Sequence, residues 1–177
     1  LDLFGAEVST NAANAFNAGI KGRYQEHRID DDHRLENDTY RVWDMVDGKV
    51  VVEGSNGWTC LPDTMPGDHA PMCNDEVWMN LMGMMMGGPE YVPDRIGISY
   101  MMQGEPDGAG VSNSNPAHPD PQSADDYVDT GPHLMIVVPR EMLAGITDDP
   151  NVGDPYVMWG DTPFAHIMVP VAPEGKG

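Results

Sequence analysis

The sequence predicts an α+β fold, in which a mainly antiparallel sheet of about five or six strands packs with one or two helices and carries long loops. Three observations support this prediction. Residues 40–43 and 49–52 are β-branched or aromatic runs joined through Asp47-Gly48, a dipeptide typical of tight hairpin turns. Residues 75–86 carry apolar side chains at helical spacing. Residues 133–138 form a nearly continuous apolar run, which is typical of a strand buried on both faces.

The predicted helix over residues 75–86 has signals at both ends. Asn74 or Asp75 supplies an N-cap, and Gly87-Gly88-Pro89 ends the helix. Its apolar positions share one face: Val77, Trp78, Leu81, Met82 and Met85. Several methionines crowd this segment, and their helical spacing favours core packing over a soft-metal cluster.

Three further segments have the composition of strands, namely residues 96–102, 156–159 and 165–169. Residues 104–123 are instead rich in Gly, Pro, Asn, Asp and Ser. This composition predicts a long surface loop. Residues 141–146 predict one turn of helix.

The chain has 177 residues, enough for one domain with a substantial core. We predict a single α+β domain over residues 40–172. An N-terminal helix and an acidic connection precede it over residues 1–39, and a short tail follows over residues 173–177. The helix is predicted at residues 6–18, where apolar side chains recur weakly at helical spacing.

The net charge is −20, from 29 acidic and 9 basic residues. Nucleic acid and anionic membranes are poor partners for such a chain, because their phosphates need cationic side chains. The charge indicates either a strongly solvated surface or an attraction for cations. Every apolar run is shorter than the roughly 20 residues of a membrane-spanning helix, so no membrane span is predicted. The sequence does not predict an oligomeric state.

The two cysteines, Cys60 and Cys73, flank a segment with several prolines. Proline prevents a helix or a central strand from running through this segment, so it needs a constraint at its ends. We predict a Cys60–Cys73 disulfide. The alternatives are two buried free thiols, or a zinc site with His69, although no familiar zinc-ligand spacing is present.

A disulfide is typical of an exported protein. The chain begins at Leu1 without an initiator methionine or a basic-then-apolar leader, so we expect a mature or trimmed chain from which any signal peptide has been removed. We therefore predict a soluble domain with a periplasmic or extracellular location.

The pattern His-x-Met occurs twice, as His133-Leu134-Met135 and His166-Ile167-Met168. Residues two apart in a strand point to the same face, so each pair presents an imidazole beside a thioether. If the two strands are neighbours, His133, Met135, His166 and Met168 form a copper site, because these ligands suit Cu(I). The alternative is that both methionines are core residues and that each histidine bonds to a carbonyl or carboxylate.

Two other kinds of chemistry are compatible with the sequence. His133 or His166 with Asp68, Asp75 or Asp161 would suit general acid–base or metal-dependent hydrolysis. Residues 149–154 faintly resemble a calcium loop but lack the bidentate Glu that such a loop requires, so calcium is a weaker prediction than copper.

Several segments together resemble a family of exported bacterial proteins of unassigned activity, in their order and spacing over residues 56–171. They are N-G-W-T-C at 56–60, P-M-C-N-D at 71–75, G-I-S-Y-M-M-Q-G at 97–104, S-N-S-N-P at 112–116, G-P-H-L-M at 131–135, P-Y-V-M-W at 155–159 and T-P-F-A-H-I-M-V-P-V at 162–171. The resemblance implies a leader peptide and an extracytoplasmic location. This chain has Ala70 and Asn115 where the family pattern carries acids.

From these observations we predict an exported domain that binds a small ligand or a polymer without catalysis. Copper binding and hydrolysis are the alternatives. Loops that meet at the end of a sheet often form pockets, and the candidate lining residues are Trp58, Trp78, Tyr100, His133 and His166.

Overall fold

The computed structural model describes residues 41–44, 48–64, 70–105 and 109–171. The predicted N-terminal helix, the acidic connection, residues 65–69 of the loop between the cysteines and the predicted tail lie outside these residues. One α-helix and ten strands are present in the described part. The helix is α1 (Glu76–Met85), and the strands are β1 (Arg41–Asp44), β2 (Lys49–Glu53), β3 (Thr59–Leu61), β4 (Met72–Asn74), β5 (Gly97–Met101), β6 (Val111–Ser112), β7 (Tyr127–Val128), β8 (His133–Val137), β9 (Tyr156–Met158) and β10 (His166–Pro170).

Eight of the strands form one sheet in the order β2-β1-β3-β4-β5-β8-β10-β9. All neighbouring strands are antiparallel except β1 and β3, which are parallel. The α+β class is confirmed, but the predicted number of five or six strands is wrong. The sequence prediction missed β3 and β4 because each has three residues, too few to show a period of two.

A second, two-stranded sheet of β6 and β7 lies in and just after the segment predicted as a long loop. The same region contains a short 3-10 turn, Pro121–Ser123. Two other 3-10 turns, Arg140–Leu143 and Pro150–Val152, connect the last strands. The first of these overlaps the helical turn predicted at residues 141–146.

One face of the large sheet is covered by α1. On β5, Gly97, Ser99 and Met101 are buried, while the alternate residues Ile98 and Tyr100 are only half-buried. A Cβ atom at Gly97 would lie 2.6 Å from Cγ1 of Val77 on α1, so glycine is what allows the helix to approach this strand. The buried face is therefore the one that contacts α1.

The opposite face of the sheet is less covered. On β8, His133, Met135 and Val137 are buried, whereas Leu134 and Ile136 are half-buried. The prediction that both faces of this strand are buried is thus only half right. A continuous apolar run does not by itself distinguish a strand with two buried faces from one whose second face is partly covered.

The disulfide between Cys60 and Cys73 is present, as predicted. The two residues are direct partners in the β3–β4 ladder, with Cα atoms 4.0 Å apart. The bond therefore joins neighbouring strands inside the sheet rather than only closing a surface loop. Both residues are buried, and they pack with Val42 in a small apolar cluster.

Asp75 joins α1 to the sheet. One carboxylate oxygen accepts a hydrogen bond from the backbone N–H of Trp78 at 2.9 Å, which is the N-cap interaction. The other oxygen accepts from the backbone N–H of Ile98 at 2.8 Å, on the neighbouring strand β5. Of the two predicted capping residues, Asn74 and Asp75, the structure has Asp75 in this role, and Asp75 also fixes the position of the helix relative to the sheet.

We expect Asp75→Ala to lower the free energy of unfolding by about 2 kcal/mol, because it removes a cap and leaves the amide of Ile98 without its acceptor. Asp75→Asn keeps one acceptor oxygen, so it should recover part of the loss. Urea denaturation of the two variants measures the difference. Equal stability of the alanine variant and the parent protein would contradict this role of Asp75.

None of the helices in the described residues has the length and apolarity that a membrane span requires.

Candidate functional site

One opening in the described structure is a cleft of about 530 Å³, which we call the tryptophan cleft. It lies between the β1–β2 hairpin, the turn that leads into β3, and the first turns of α1. Its volume falls within the range of about 300–1,000 Å³ that is usual for ligand pockets. Its lining consists of Arg41, Trp43, Val50, Glu53, Gly54, Gly57, Trp58, Thr59, Glu76, Met79 and Asn80.

Strand register accounts for the polar part of this cleft. Arg41 on β1 is the cross-strand partner of Glu53 on β2 and of Thr59 on β3. Opposite charges at directly paired positions attract each other, and the register places Arg41 opposite Glu53. A third charged residue, Glu76, binds Arg95 at 3.0 Å on an exposed surface. The cleft therefore offers hydrogen-bonding groups without a strong excess of either charge.

A glycine-containing turn places Trp58 in the lining of the cleft. Gly54 and Gly57 both have positive φ angles, 47° and 82°, which suit glycine. The side-chain oxygen of Asn56 accepts a hydrogen bond from the backbone N–H of Trp58 at 3.1 Å. The indole of Trp58 also packs against the ring of Tyr100, with centroids 5.2 Å apart. The turn and the ring contact together restrict the position of Trp58.

The predicted lining residues do not form a single pocket. Trp58 lines the tryptophan cleft and contacts Tyr100. Trp78 and His166 contact each other elsewhere, in the core beneath α1, and His133 is buried on β8. The prediction from sequence missed Trp43, Arg41 and Asn80. The available signal for Trp43 was its position in the predicted hairpin strand.

His166 is completely buried and lies between two indoles. Its ring makes edge-to-face contacts with Trp78 and Trp159, with centroids 5.1 and 5.0 Å apart. Nδ1 is 2.9 Å from the carbonyl oxygen of Phe164, and a carbonyl can only accept, so Nδ1 carries the proton. Nε2 is then an acceptor, and it has no hydrogen-bond partner among the described residues.

The pKa of His166 is lowered to about 4, mainly by burial; the hydrogen bond to the Phe164 carbonyl raises it, and the charge interaction with His133 adds to the lowering. Burial also lowers the pKa of His133, whose Nδ1 is 2.5 Å from the carbonyl oxygen of Gly131. Both imidazoles are therefore neutral at pH 7. The prediction that each histidine bonds to a carbonyl or carboxylate agrees with these contacts.

The two His-x-Met pairs lie on neighbouring antiparallel strands. Met135 on β8 is the direct partner of Met168 on β10, and both are buried. His133 is instead the partner of Pro170, four residues beyond His166 on the same strand. The register thus brings the two thioethers together and places the two imidazoles at opposite ends of the ladder.

The aspartates predicted for acid–base or calcium chemistry do not form a site. Both oxygens of Asp75 accept backbone hydrogen bonds, as described above, and Asp161 is exposed. Asp149 caps a 3-10 turn through the N–H of Asn151 at 2.9 Å. Asp68 and His69 lie outside the described residues. Within the described residues, no group of three or more His, Cys, Asp or Glu side chains is placed to hold a metal ion.

The S-N-S-N-P segment supports the wall around His166. The indole N–H of Trp159 donates to the carbonyl of Ser112 at 2.8 Å. Asp126 accepts hydrogen bonds from the hydroxyl of Ser112 and the backbone N–H of Ser114, both at 2.8 Å. Hydrogen bonds from the side chains of Ser114 and Ser112 lower the pKa of Asp126. This segment therefore holds Trp159 against the buried histidine.

Comparison with known proteins gives one partial similarity. The chain is similar to benzoyl-CoA oxygenase component B of Aromatoleum evansii, with 39% identity over 67 residues. These residues are 38% of this chain, and they span 14% of the length of that protein. No protein-family model and no solved structure matches the chain. The similarity is therefore too short to assign a family.

Proposed function

We propose that this chain is an exported, non-catalytic domain that binds a small ligand or a polymer in the tryptophan cleft. The observation that carries this proposal is the cleft itself, which combines two indoles with polar groups in a volume of ligand size. The disulfide supports an extracytoplasmic location, because such bonds persist in oxidising compartments. The burial of His133 and His166 supports binding over hydrolysis, because a buried imidazole does not reach a substrate at the surface.

The chemistry of the cleft favours an uncharged sugar ring as the ligand. Trp43 and Trp58 offer flat apolar surfaces for the C–H face of a sugar. Arg41, Glu53 and Asn80 offer donors and acceptors for its hydroxyl groups. The net charge of −20 repels polyanions, which excludes acidic polymers as good ligands.

We expect the protein to bind at least one neutral oligosaccharide, and isothermal titration with cellohexaose, maltohexaose and chitohexaose tests this. Trp43→Ala should weaken binding by about tenfold, because an aromatic contact at the centre of a site contributes strongly to affinity. Trp159→Phe is the control, since Trp159 lies outside the cleft. The proposal fails if none of the three sugars binds, or if both variants weaken binding equally.

Copper binding is a second candidate, and the direct pairing of Met135 with Met168 is the observation that favours it. The unpartnered Nε2 of His166 lies on the same buried face, two residues from Met168. These groups supply soft ligands from two adjacent strands. Anaerobic Cu(I) titration should then show one equivalent bound, and Met168→Leu should abolish it while His133→Ala leaves it unchanged.

A further inference from the structure

A second opening lies at the C-terminal end of α1, at the opposite end of the helix from the tryptophan cleft. It is a cavity of about 240 Å³, which we call the apolar cavity. Most of its lining is aliphatic, proline or aromatic. The lining residues are Met84, Glu90, Tyr91, Val92, Pro93, Val138, Arg140, Leu143, Pro163 and Ala165. A cavity of this size accommodates one large side chain.

One exposed apolar side chain lines this cavity, and another lies between two lining residues in sequence. Val92 lines it and is 71% exposed, and Met142, between the lining residues Arg140 and Leu143, is 53% exposed. Exposed apolar residues that cluster around a cavity indicate an interaction site, and methionine adapts to partners of different shape.

The walls of the apolar cavity are held by specific contacts. The backbone N–H of Tyr91 donates to the sulfur of Met84 at 3.2 Å, which fixes the chain after the helix. On the other side, the guanidinium of Arg140 donates to the carbonyl of Thr162 at 2.9 Å and to that of Gly160. The cavity is therefore largely preformed, so binding of a partner does not include the entropic cost of ordering its walls.

The charges near the cavity and on the whole chain indicate which kind of partner fits. The guanidinium of Arg140 is bound to backbone carbonyls, whereas Glu90 is exposed on the cavity rim and has no ion pair within the described residues. The net charge of −20 also attracts cationic partners over a distance. A segment that combines an apolar side chain with a neighbouring basic residue therefore matches both features of this surface.

We propose that the apolar cavity, with the exposed Val92 in its lining and Met142 beside it in sequence, binds a basic, amphipathic peptide segment of a partner protein. One large apolar side chain of that segment fills the cavity, and an adjacent Lys or Arg pairs with Glu90. This proposal is independent of the tryptophan cleft, because the two openings share no lining residue.

The test uses the full chain and three synthetic peptides of equal length, built from Leu and Lys, from Leu and Glu, and from Gly and Lys. We expect only the Leu/Lys peptide to bind tightly by fluorescence anisotropy. Val92→Thr and Met142→Gln keep the side-chain size and should each weaken binding about fivefold. Val152→Thr is the matched control, because Val152 is also exposed, at 49%, and lies outside the cavity lining.

A second pair of variants tests the charge. Glu90→Gln should weaken binding of the Leu/Lys peptide about fivefold at low ionic strength, and the effect should shrink as salt screens the pair. Asp154→Asn, an exposed site outside the cavity, is the control and should have no effect. Equal binding of the Gly/Lys peptide, or equal losses in test and control variants, would overturn the proposal, since either result shows only general attraction to an acidic surface.

Discussion

Lowering the pH from 7 to 4 is expected to reduce the free energy of unfolding by about 3 kcal/mol through His166 alone. In the folded protein burial lowers the pKa of His166 to about 4, whereas an unfolded histidine has a pKa near 6.5. Between these values the unfolded chain binds a proton that the folded chain excludes. Protonation therefore favours unfolding progressively as the pH falls from about 6.5 to about 4.

The surroundings of His166 also favour a loss of stability in acid. Its ring lies between the indoles of Trp78 and Trp159. Neither indole carries a negative charge that would stabilise a protonated imidazole. The titratable groups on the neighbouring strands are His133, whose pKa is also lowered, and Tyr156, whose pKa burial raises to about 12. His133 thus adds to the loss of stability in acid, and Tyr156 stays neutral throughout this range.

Urea denaturation at a series of pH values measures the predicted slope. His166→Gln should remove the part of the pH dependence between 4 and 6.5 that His166 contributes, while the contribution of His133 remains. Because a variant in the core can fail to fold, an NMR titration of the parent protein provides a second measurement. A His166 resonance that titrates near pH 6.5 in the folded protein would refute the prediction.

Removing the disulfide is expected to cost about 3 kcal/mol of stability, which is the chain-entropy estimate for a loop of this size. Cys60 and Cys73 are separated by 13 positions, and the bond restricts the unfolded chain over that segment. The double variant Cys60→Ala, Cys73→Ala removes the bond without burying a hydroxyl group. Urea denaturation of the parent and the variant gives the difference.

Reduction provides the control for this comparison. A reducing agent should destabilise the parent protein by a similar amount and leave the double variant unchanged, because the variant has no bond to break. If the agent affects both proteins equally, the loss is not due to the disulfide. Intact mass spectrometry before and after reduction reports whether the parent protein carried the bond.

Several elements around the tryptophan cleft were predictable from the local sequence. The Asp75 cap, the helix that follows it and the hairpin of β1 and β2 depend on neighbours in the chain, and all three are present. The pairing of Cys60 with Cys73 followed because the chain has no other cysteines. The tryptophan cleft was not predictable, because Asn80 on the helix and Trp43 on the first strand are brought together only by packing.

The register between β8 and β10 determines which residues of the two His-x-Met pairs lie close together. Sequence spacing places each histidine on the same face as its methionine, and the structure agrees on both strands. How the two strands align is a separate matter, and it sets Met135 against Met168 while moving the histidines apart. The sequence by itself therefore determined the α+β class, the capped helix, the disulfide partners and the net charge, because these depend on residues near in sequence or on composition. The tertiary structure alone specified the parallel pairing of β1 with β3, the burial of His166 and the two cavities, because these depend on which distant segments pack together.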